Sequence, residues 1–443
     1  MNLEVEPNIV ISGAGIAGLV LALSLRKMGV AVTVYEQAPS FDDGVGGAIG
    51  LYPNGLRVIR DISIEVLREI RKQGRSYIYR RWMRHDGSEV AVGQEKYLCE
   101  FKDEQEEEEL TSLGIRRWRL QKILVTASER MGVKIIWGKR INLVKVIDPE
   151  NDIKVELTLS DNSKVNCDLL FGCDGVKSAI RTSLFGNEAD PSYTGITCLM
   201  GSAPIAKKSP LNGICFPSSV TSKCHACFYP CNEEEIIFQI YFPTEEKPET
   251  WKPLTLEESK IECNELAKTL KNEGWSSIFT DCLLSADSVL RVGLRARSPI
   301  PVWHSPKNNP RVILLGDAAH PPVPYIGQGA MMAIEDAGIL SLLIKSFCKP
   351  NEIAKFNLNN LPIVSKHYEG LRLPRTTTML EKSHELGKMQ LERATNTNKF
   401  EIWYKEMTMW ANVKRFGTLP IMLNGASYNY QSAVEEELRK SKL

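Results

Sequence analysis

One stretch restricts the fold of this chain more than any other. Asn8 to Ser12 is apolar, Gly13-Ala14-Gly15-Ile16-Ala17-Gly18 follows, the run from Leu19 to Met28 is closed by Gly29, and Val30 to Tyr35 ends in Glu36. That order predicts strand, turn, helix and strand, the opening of a doubly wound α/β sheet. Each glycine has its own task. Gly13 makes the turn, Gly15 lets the backbone approach a pyrophosphate, and Gly18 lets helix and strand touch, while Glu36 can accept both hydroxyls of a ribose. An acidic residue at this point favours an unphosphorylated ribose, as in NAD or FAD, over NADP. Asn8 to Leu25 is also uncharged over about the length of a membrane span, but its glycines fall where a nucleotide-binding turn needs them.

Arg311 to Leu340 reads as a second strand, loop and helix. Val312 to Leu315 is a short apolar run, and Gly316-Asp317 sets a carboxylate at the strand end, where such sheets bind ligands. Pro321, Pro322 and Pro324 forbid helix across the loop. Gly327-Gln328-Gly329 then opens a helix carrying Met331, Ala333, Ile334, Ala337 and Leu340. Backbone N–H groups at Gly327 and Gly329, with the positive helix end behind them, suit a ring that becomes anionic. Between these two units, the apolar run from Asp168 to Gly172 leads to Asp174-Gly175 and a helix start near Ser178. Asp174 can there orient ribose, phosphate or water.

The intervening segments are less specific. Gly44 to Gly50, continuing through Leu51 to Gly55, is expected as a glycine-rich loop, either backbone against a flat ring or a flexible connector. Tyr77 to Val92 alternates as strands do, and Asp103 to Glu109 is expected as a solvated surface loop or helix end. A helix is predicted from Ile115-Arg116-Arg117-Trp118-Arg119-Leu120 to about Met131, with one arginine reaching a phosphate or packing through its stem. Val133 to Trp137, Asn142 to Ile147 and Val155 to Ser160 read as strands. Pro191 to about Arg291 alternates as a sheet. Cys224-His225-Ala226-Cys227 and Cys231 invite a metal reading, but residues three apart on a strand face opposite ways, so no metal is expected. Phe228-Tyr229-Pro230 and Phe238 to Phe242 offer aromatic walls or ordinary core. Residues 351–440 read as helical and irregular, with Trp403, Trp410 and Phe416 packing on the body or, as the alternative, forming a membrane-touching or dimer face.

Taken together, the glycine turn at 13–18, Asp174-Gly175, Gly316-Asp317 continued through HPPVPYIGQG, and the following EDA resemble the single-component FAD-dependent aromatic hydroxylases, which include salicylate-hydroxylase-like and fungal polyketide-hydroxylating monooxygenases. The resemblance implies an α/β fold: a Rossmann-type FAD-binding domain, an inserted mainly antiparallel β-sheet substrate domain and a C-terminal helical segment. The expected division assigns 1–75, 100–190 and 292–350 to the first, 76–99 and 191–291 to the second, 351–440 to the third and 441–443 to a targeting tripeptide. It implies FAD, with NADPH or NADH and O2 as co-substrates, and hydroxylation of an electron-rich aromatic through a flavin hydroperoxide. By resemblance Glu36 and Asp317 hold the two sugar-like ends of FAD, Arg117 is the ring-and-phosphate arginine, and Ala48 and Ala330 lie in loops beside the cofactor. Tyr229 is the candidate contact to a substrate hydroxyl. His367-Tyr368-Glu369 through Arg372, Pro374 and Arg375 look like the family's closing helix. A second nucleotide fingerprint is absent, unlike in disulfide reductases and Baeyer–Villiger enzymes.

One departure bears on the substrate. After Tyr193-Thr194-Gly195 many relatives carry an arginine that grips an anion, whereas the equivalent here is Met200. A neutral, rather apolar substrate is therefore expected, unless Arg291, Arg295 or Arg297 substitutes. The alternatives are an isoprenoid epoxidase, a non-oxygenating flavin reductase and an FAD-binding interaction protein.

Length and charge set outer bounds. At 443 residues the chain can bury two or three cores, and a net charge of +1 gives no field for recruiting nucleic acid or an anionic membrane. Membrane contact is not expected. Eleven cysteines without disulfide-scaffold density, and an acidic start (MNLEVEPN), point to reduced thiols inside a cell. Ser441-Lys442-Leu443 reads as an address for the peroxisomal import receptor, with the cytoplasm as the alternative.

Overall fold

The computed structural model describes residues 6–41, 47–148, 153–186, 191–205, 213–219, 224–246, 254–286, 288–306, 310–349, 355–393 and 398–440. At its centre is a parallel sheet in the order Val312–Leu314, Leu169–Gly172, Ile9–Ser12, Val32–Tyr35, Lys134–Ile136. The first strand of the chain is the middle one, and every residue of Ile9–Ser12 is buried. Burial on both faces explains why these strands read as unbroken apolar runs. The helix Ile16–Lys27 covers the sheet and packs against Gly329–Phe347. Asn8 to Leu25 is thus strand, turn and helix, and among the described residues no helix is long and apolar enough to cross a membrane. Parallel register aligns Ser12 with Tyr35 and Gly172, and Gly172 with Leu314, which gathers the four strand ends at one edge.

A seven-stranded sheet stands over that edge, ordered Ser288–Ala296, Ser192–Pro204, Glu235–Pro243, His225–Pro230, Ile214–Ser218, Tyr79–Arg84, Glu89–Gln94. All pairs are antiparallel except Ile214–Ser218 with Tyr79–Arg84. The outermost strand runs on to Ala296, past the expected boundary at 291. Leu256–Asn272 and Ser277–Leu284 cover the far face, where Leu270, Phe279 and Leu283 pack on Phe228, Phe238 and Ile240. The first of these helices starts at a reciprocal cap, Thr255 accepting from the Glu258 N–H and Glu258 accepting from that of Thr255. Cys224 belongs to this far cluster while Cys227 packs on the opposite side, so strand alternation separates the two thiols.

Several local readings are corrected. Within the Gly44–Gly55 segment, of which Gly44 to Gly46 lie outside the described residues, Ala48–Leu51 is a strand paired with Leu113–Arg116, and the helix begins at Pro53. Ile115 and Arg116 are therefore sheet, and their helix starts at Arg117. Of the two readings of Asp103 to Glu109, loop or helix end, the structure has a short helix that keeps Asp103, Glu104, Gln105 and Glu108 exposed, with Glu106 the exception. Asp103 caps the helix Glu104–Leu110, and buried Glu106 accepts from Arg60 at 2.8 Å, an inward pairing that a run of acidic residues conceals. Residues beyond Leu361 form Leu361–Arg393, Lys399–Phe416, Pro420–Ala426 and Tyr430–Lys440. Trp403, Trp410 and Phe416 do not pack on the body but are 54, 45 and 38 % exposed. Met409 and Val413 take the contact with Trp82 and Ala91, leaving the aromatic residues on other sides of that helix. Ser441-Lys442-Leu443 lies outside the described residues.

Candidate active site

A cavity of about 740 Å³ separates the carboxyl edge of the parallel sheet from one face of the seven-stranded sheet. Of the residues singled out from the sequence, Gly13, Gly15, Glu36, Ala48, Arg117 and Asp174 line it from below. Asp317, Gly327, Gly329, Ala330 and Tyr229 complete the set, and Gly18 alone does not reach the cavity.

At the glycine turn, Gly13 has φ +99°, and a Cβ there would meet the Cys173 carbonyl oxygen at 2.5 Å. A Cβ on Gly18 would meet the Gly13 oxygen at 2.1 Å, so Gly18 serves the helix–strand contact. Gly15 differs: nothing lies within 4 Å of a Cβ placed there, and its backbone borders the cavity. Glu36 accepts from the N–H groups of Ala14 at 2.7 Å and Ala38 at 2.9 Å, one on each oxygen. Each oxygen keeps a lone pair for a ligand hydroxyl. Gln121, which sequence reasoning missed, also lines this end and donates to the Ala14 carbonyl at 2.8 Å.

Asp174 and Asp317 carry the clearest imprint of a ligand. Asp174 Oδ2 accepts from the Ile180 N–H at 3.2 Å, while its buried Oδ1 has no partner. Burial raises its carboxyl above the ordinary range, against the pull of Ser178 and nearby N–H groups. Asp317 is accessible yet deep in the protein, because its open side is the cavity. Burial raises its carboxyl too, opposed by the neighbouring His320 and Arg117. These features fit a flavin dinucleotide: open backbone at Gly15 for the pyrophosphate, carboxylates at 36, 174 and 317 for its hydroxyl-rich segments, and the start of Gly329–Phe347 for an anionic ring.

Behind Asp317 lies a charged cluster whose EDA motif was legible but whose partners were not. Asp336 accepts from the Gly316 N–H at 2.8 Å and from His320 at 2.6 Å. Arg372 bridges Asp336 and Glu335, both at 2.6 Å, and all three are fully buried. Burial alone would raise the Asp336 carboxyl, but His320 and Arg372 bring it down to about 2.

The upper wall is one face of the seven-stranded sheet, picked out by alternation: Cys198 and Met200, Gln239 and Tyr241, Cys227 and Tyr229, Leu290 and Val292 all line the cavity. Three hydroxyl and amide groups are chained there. Tyr241 donates to Gln239 Oε1 at 2.8 Å, and Gln239 Nε2 donates to Tyr229 Oη at 2.9 Å. Burial holds the Tyr229 phenol well above its usual range, so its own O–H stays available to donate. Met200 packs its sulfur against Gly47, beside the lower wall. Of the three candidate arginines, Arg291 and Arg297 do not line the cavity, being directed to Glu262 and to the Val176 carbonyl. Arg295 does, but its guanidinium is engaged by Glu246 and the Pro191 carbonyl.

His225 also escaped the sequence reading as a cavity residue. Its ring stacks on Tyr241 with centroids 4.7 Å apart, and burial lowers its pKa to about 3. The folded imidazole is therefore neutral where an unfolded one, near 6.5, takes up a proton. Stability from this site is full above the unfolded value and is expected to fall by up to about 1.4 kcal/mol per pH unit as pH drops below it. Urea midpoints of wild type and His225→Gln at about pH 7 and about pH 5 check this, since equal acid sensitivity of the two proteins would rule it out.

Comparison with known proteins agrees with this geometry. The family model described as FAD binding domain matches residues 6–349. The chain is 28% identical to 6-hydroxynicotinate 3-monooxygenase of Bordetella bronchiseptica, over 86% of this chain and 91% of that protein. It is 30% identical to 3-hydroxybenzoate 6-hydroxylase 1 of Aquipseudomonas alcaligenes, over 79% of this chain and 84% of that one. Its fold is shared with Klebsiella pneumoniae HpxO, solved in complex with FAD and uric acid, at TM-score 0.76 and 20% identity, covering 96% of this chain and 99% of that one. Matched to it over residues 6–349, the chain belongs to the FAD binding domain family, alongside the monooxygenases and hydroxylases it is similar to, and its cofactor is FAD.

Proposed function

We propose that this protein uses NAD(P)H and O2 to hydroxylate a neutral, electron-rich aromatic compound in the cavity under the seven-stranded sheet. The observation that carries this reading is the character of the upper wall. Among the described residues, Arg295 is the only charged group that sheet contributes to the cavity, and it is already held by Glu246 and a carbonyl. Against that wall an anionic substrate would lack the charge-assisted contact worth about 1.5–3 kcal/mol that a free arginine supplies. A neutral ring instead finds Met200, Phe216, Leu290, Val292 and Leu294.

Held by the backbone at Gly13 and Gly15 and by the carboxylates of Glu36, Asp174 and Asp317, FAD would supply the redox chemistry, with the nicotinamide as electron donor and O2 as the source of the transferred oxygen atom. The chain supplies position and environment. Apolar residues of the upper wall exclude water and fix the plane of the ring. Tyr229, already an acceptor from Gln239, points its remaining donor capacity at a substrate oxygen, which favours the phenolate and enriches the neighbouring carbon. The helix start at Gly329 favours negative charge on the opposite side of the cavity.

Oxygen uptake with NADH or NADPH, screened over neutral phenols, carboxylated phenols and isoprenoids, tests the reading. Neutral phenols should stimulate it and yield a hydroxylated product; stimulation by isoprenoids alone, with an epoxide formed, would overturn the aromatic assignment. With a phenolic substrate, Tyr229→Phe should lower kcat/KM by about ten- to a hundredfold and leave FAD content unchanged. Met200→Arg should shift preference toward carboxylated phenols by about tenfold or more, the effect of restoring that charge-assisted contact. No change in preference would mean that Met200 lies away from the substrate.

A further inference from the structure

The helix Lys399–Phe416 has two unlike sides. Inward, Met409 and Val413 rest on Trp82 and Ala91 at the rim of the seven-stranded sheet. Outward, at helical spacing, stand Phe400, Trp403, Tyr404, Met407 and Trp410, exposed 68, 54, 61, 42 and 45 %. Single exposed apolar residues are ordinary, but a stripe of large ones on successive turns marks a covered surface.

Charge says what covers it. The outward side continues into exposed Lys414 and Arg415. At the helix end Gly417 abuts Tyr97, itself 51 % exposed, with Lys96 Nζ 5.2 Å from its ring centre. The two acidic residues of the helix stand off the stripe. Glu406 turns inward to Arg84 at 2.9 and 2.6 Å, and Glu401 falls to the flank by helical spacing. The stripe therefore joins aromatic rings to cations and holds no carboxylate.

We propose that this side lies in the plane of a lipid bilayer surface bearing anionic headgroups. Trp and Tyr favour the boundary between acyl chains and headgroups, and lysine and arginine beside them gain from anionic lipid. The near-zero net charge, which argued against membrane contact, does not bear on a local face. Phe216 and Met422, packed with the inward side, also line the cavity. The helix and the sheet edge beneath it thus stand between the docked surface and the cavity, a suitable arrangement for a ligand that partitions into lipid. The docking itself stands independently of the proposed reaction.

The full-length, FAD-loaded protein should co-sediment with vesicles of phosphatidylcholine mixed with phosphatidylserine and much less with phosphatidylcholine alone. Brominated acyl chains in those vesicles should quench part of its tryptophan emission. Trp403→Ser combined with Trp410→Ser should abolish both effects, and Lys414→Glu or Arg415→Glu should weaken binding by about fivefold or more each, all with the flavin spectrum intact. Absence of wild-type binding or of quenching overturns the proposal without recourse to any variant. So does a wild-type dimer in light scattering that ignores vesicles and becomes monomeric in the double tryptophan variant, which would assign the face to a second copy.

Discussion

Arg372→Ala is expected to destabilise the protein by about 3–5 kcal/mol, the usual cost of removing one partner from a buried ion pair. The arginine has no exposed surface and donates to Asp336 at 2.6 Å, Glu335 at 2.6 Å and the Met332 carbonyl at 3.1 Å. Without it Asp336 keeps only the His320 and Gly316 contacts, in a site where burial alone raises the carboxyl. Glu335 is better protected, since Arg375 donates to both of its oxygens at 2.7 and 2.6 Å and Asn54 donates at 2.7 Å. The strain therefore concentrates on Asp336, and through it on the Gly316–Asp317 turn. Cofactor loss should precede global unfolding, visible as release of flavin fluorescence at lower urea than in wild type. Arg372→Lys keeps the charge but not the two-pronged geometry and should recover only part of the difference. Equal urea midpoints for Arg372→Ala and wild type would show that the cluster contributes nothing.

The second large effect separates two glycines of one motif. Gly18→Ala forces a Cβ to within 2.1 Å of the Gly13 carbonyl oxygen and 3.2 Å of Ile11 Cγ2. Backbone cannot yield there as a flexible side chain would, so the helix must leave the strand. A loss of about 1–3 kcal/mol or more is expected, with colourless protein. Gly15→Ala meets no protein atom within 4 Å, and its φ of −74° accommodates any side chain. Fold stability should change by no more than about 0.5 kcal/mol. Its methyl group, however, stands on the cavity side of the turn, and FAD affinity should fall by at least tenfold, about 1.4 kcal/mol. Isothermal titration of apoprotein with FAD, beside urea denaturation of the same samples, reads both quantities. If Gly15→Ala bound FAD like wild type, the pyrophosphate would not pass by this backbone.

Much of the lower wall was legible because its causes are local. A positive φ at Gly13, a tight approach at Gly18 and a carboxylate at the end of an apolar strand are all written within a few residues of the chain. The same holds for Asp174 and Asp317, whose positions follow from the strand each one terminates. Strand alternation likewise foretold that Cys224 and Cys227 part company.

What needed the folded molecule was every relation between distant segments. By residue pattern Arg116, Arg117 and Arg119 were equivalent, and resemblance alone singled out Arg117. Only the pairing of Ala48–Leu51 with Leu113–Arg116 turns Arg117 into the cavity while Arg116 reaches Glu235 at 3.0 Å. The partner of Asp336 lies on another helix, and periodicity within one helix says nothing about a neighbour's charges. Alternation fixed that Met200 and Leu199 oppose each other, but not which of them faces ligand. That was decided by the helices Leu256–Asn272 and Ser277–Leu284, which bury Leu199 on their side and leave Met200, Tyr229 and Tyr241 to the cavity. The aromatic stripe beyond Lys399 was equally ambiguous, since the sequence reports that a helix is two-faced and only its docking selects the face that stays outside. The chain alone determined where a nucleotide could be held, because steric and hydrogen-bonding demands act within a turn; tertiary packing decided what else the cavity admits, because the two sides of a sheet or helix are distinguished only by what comes to rest on them.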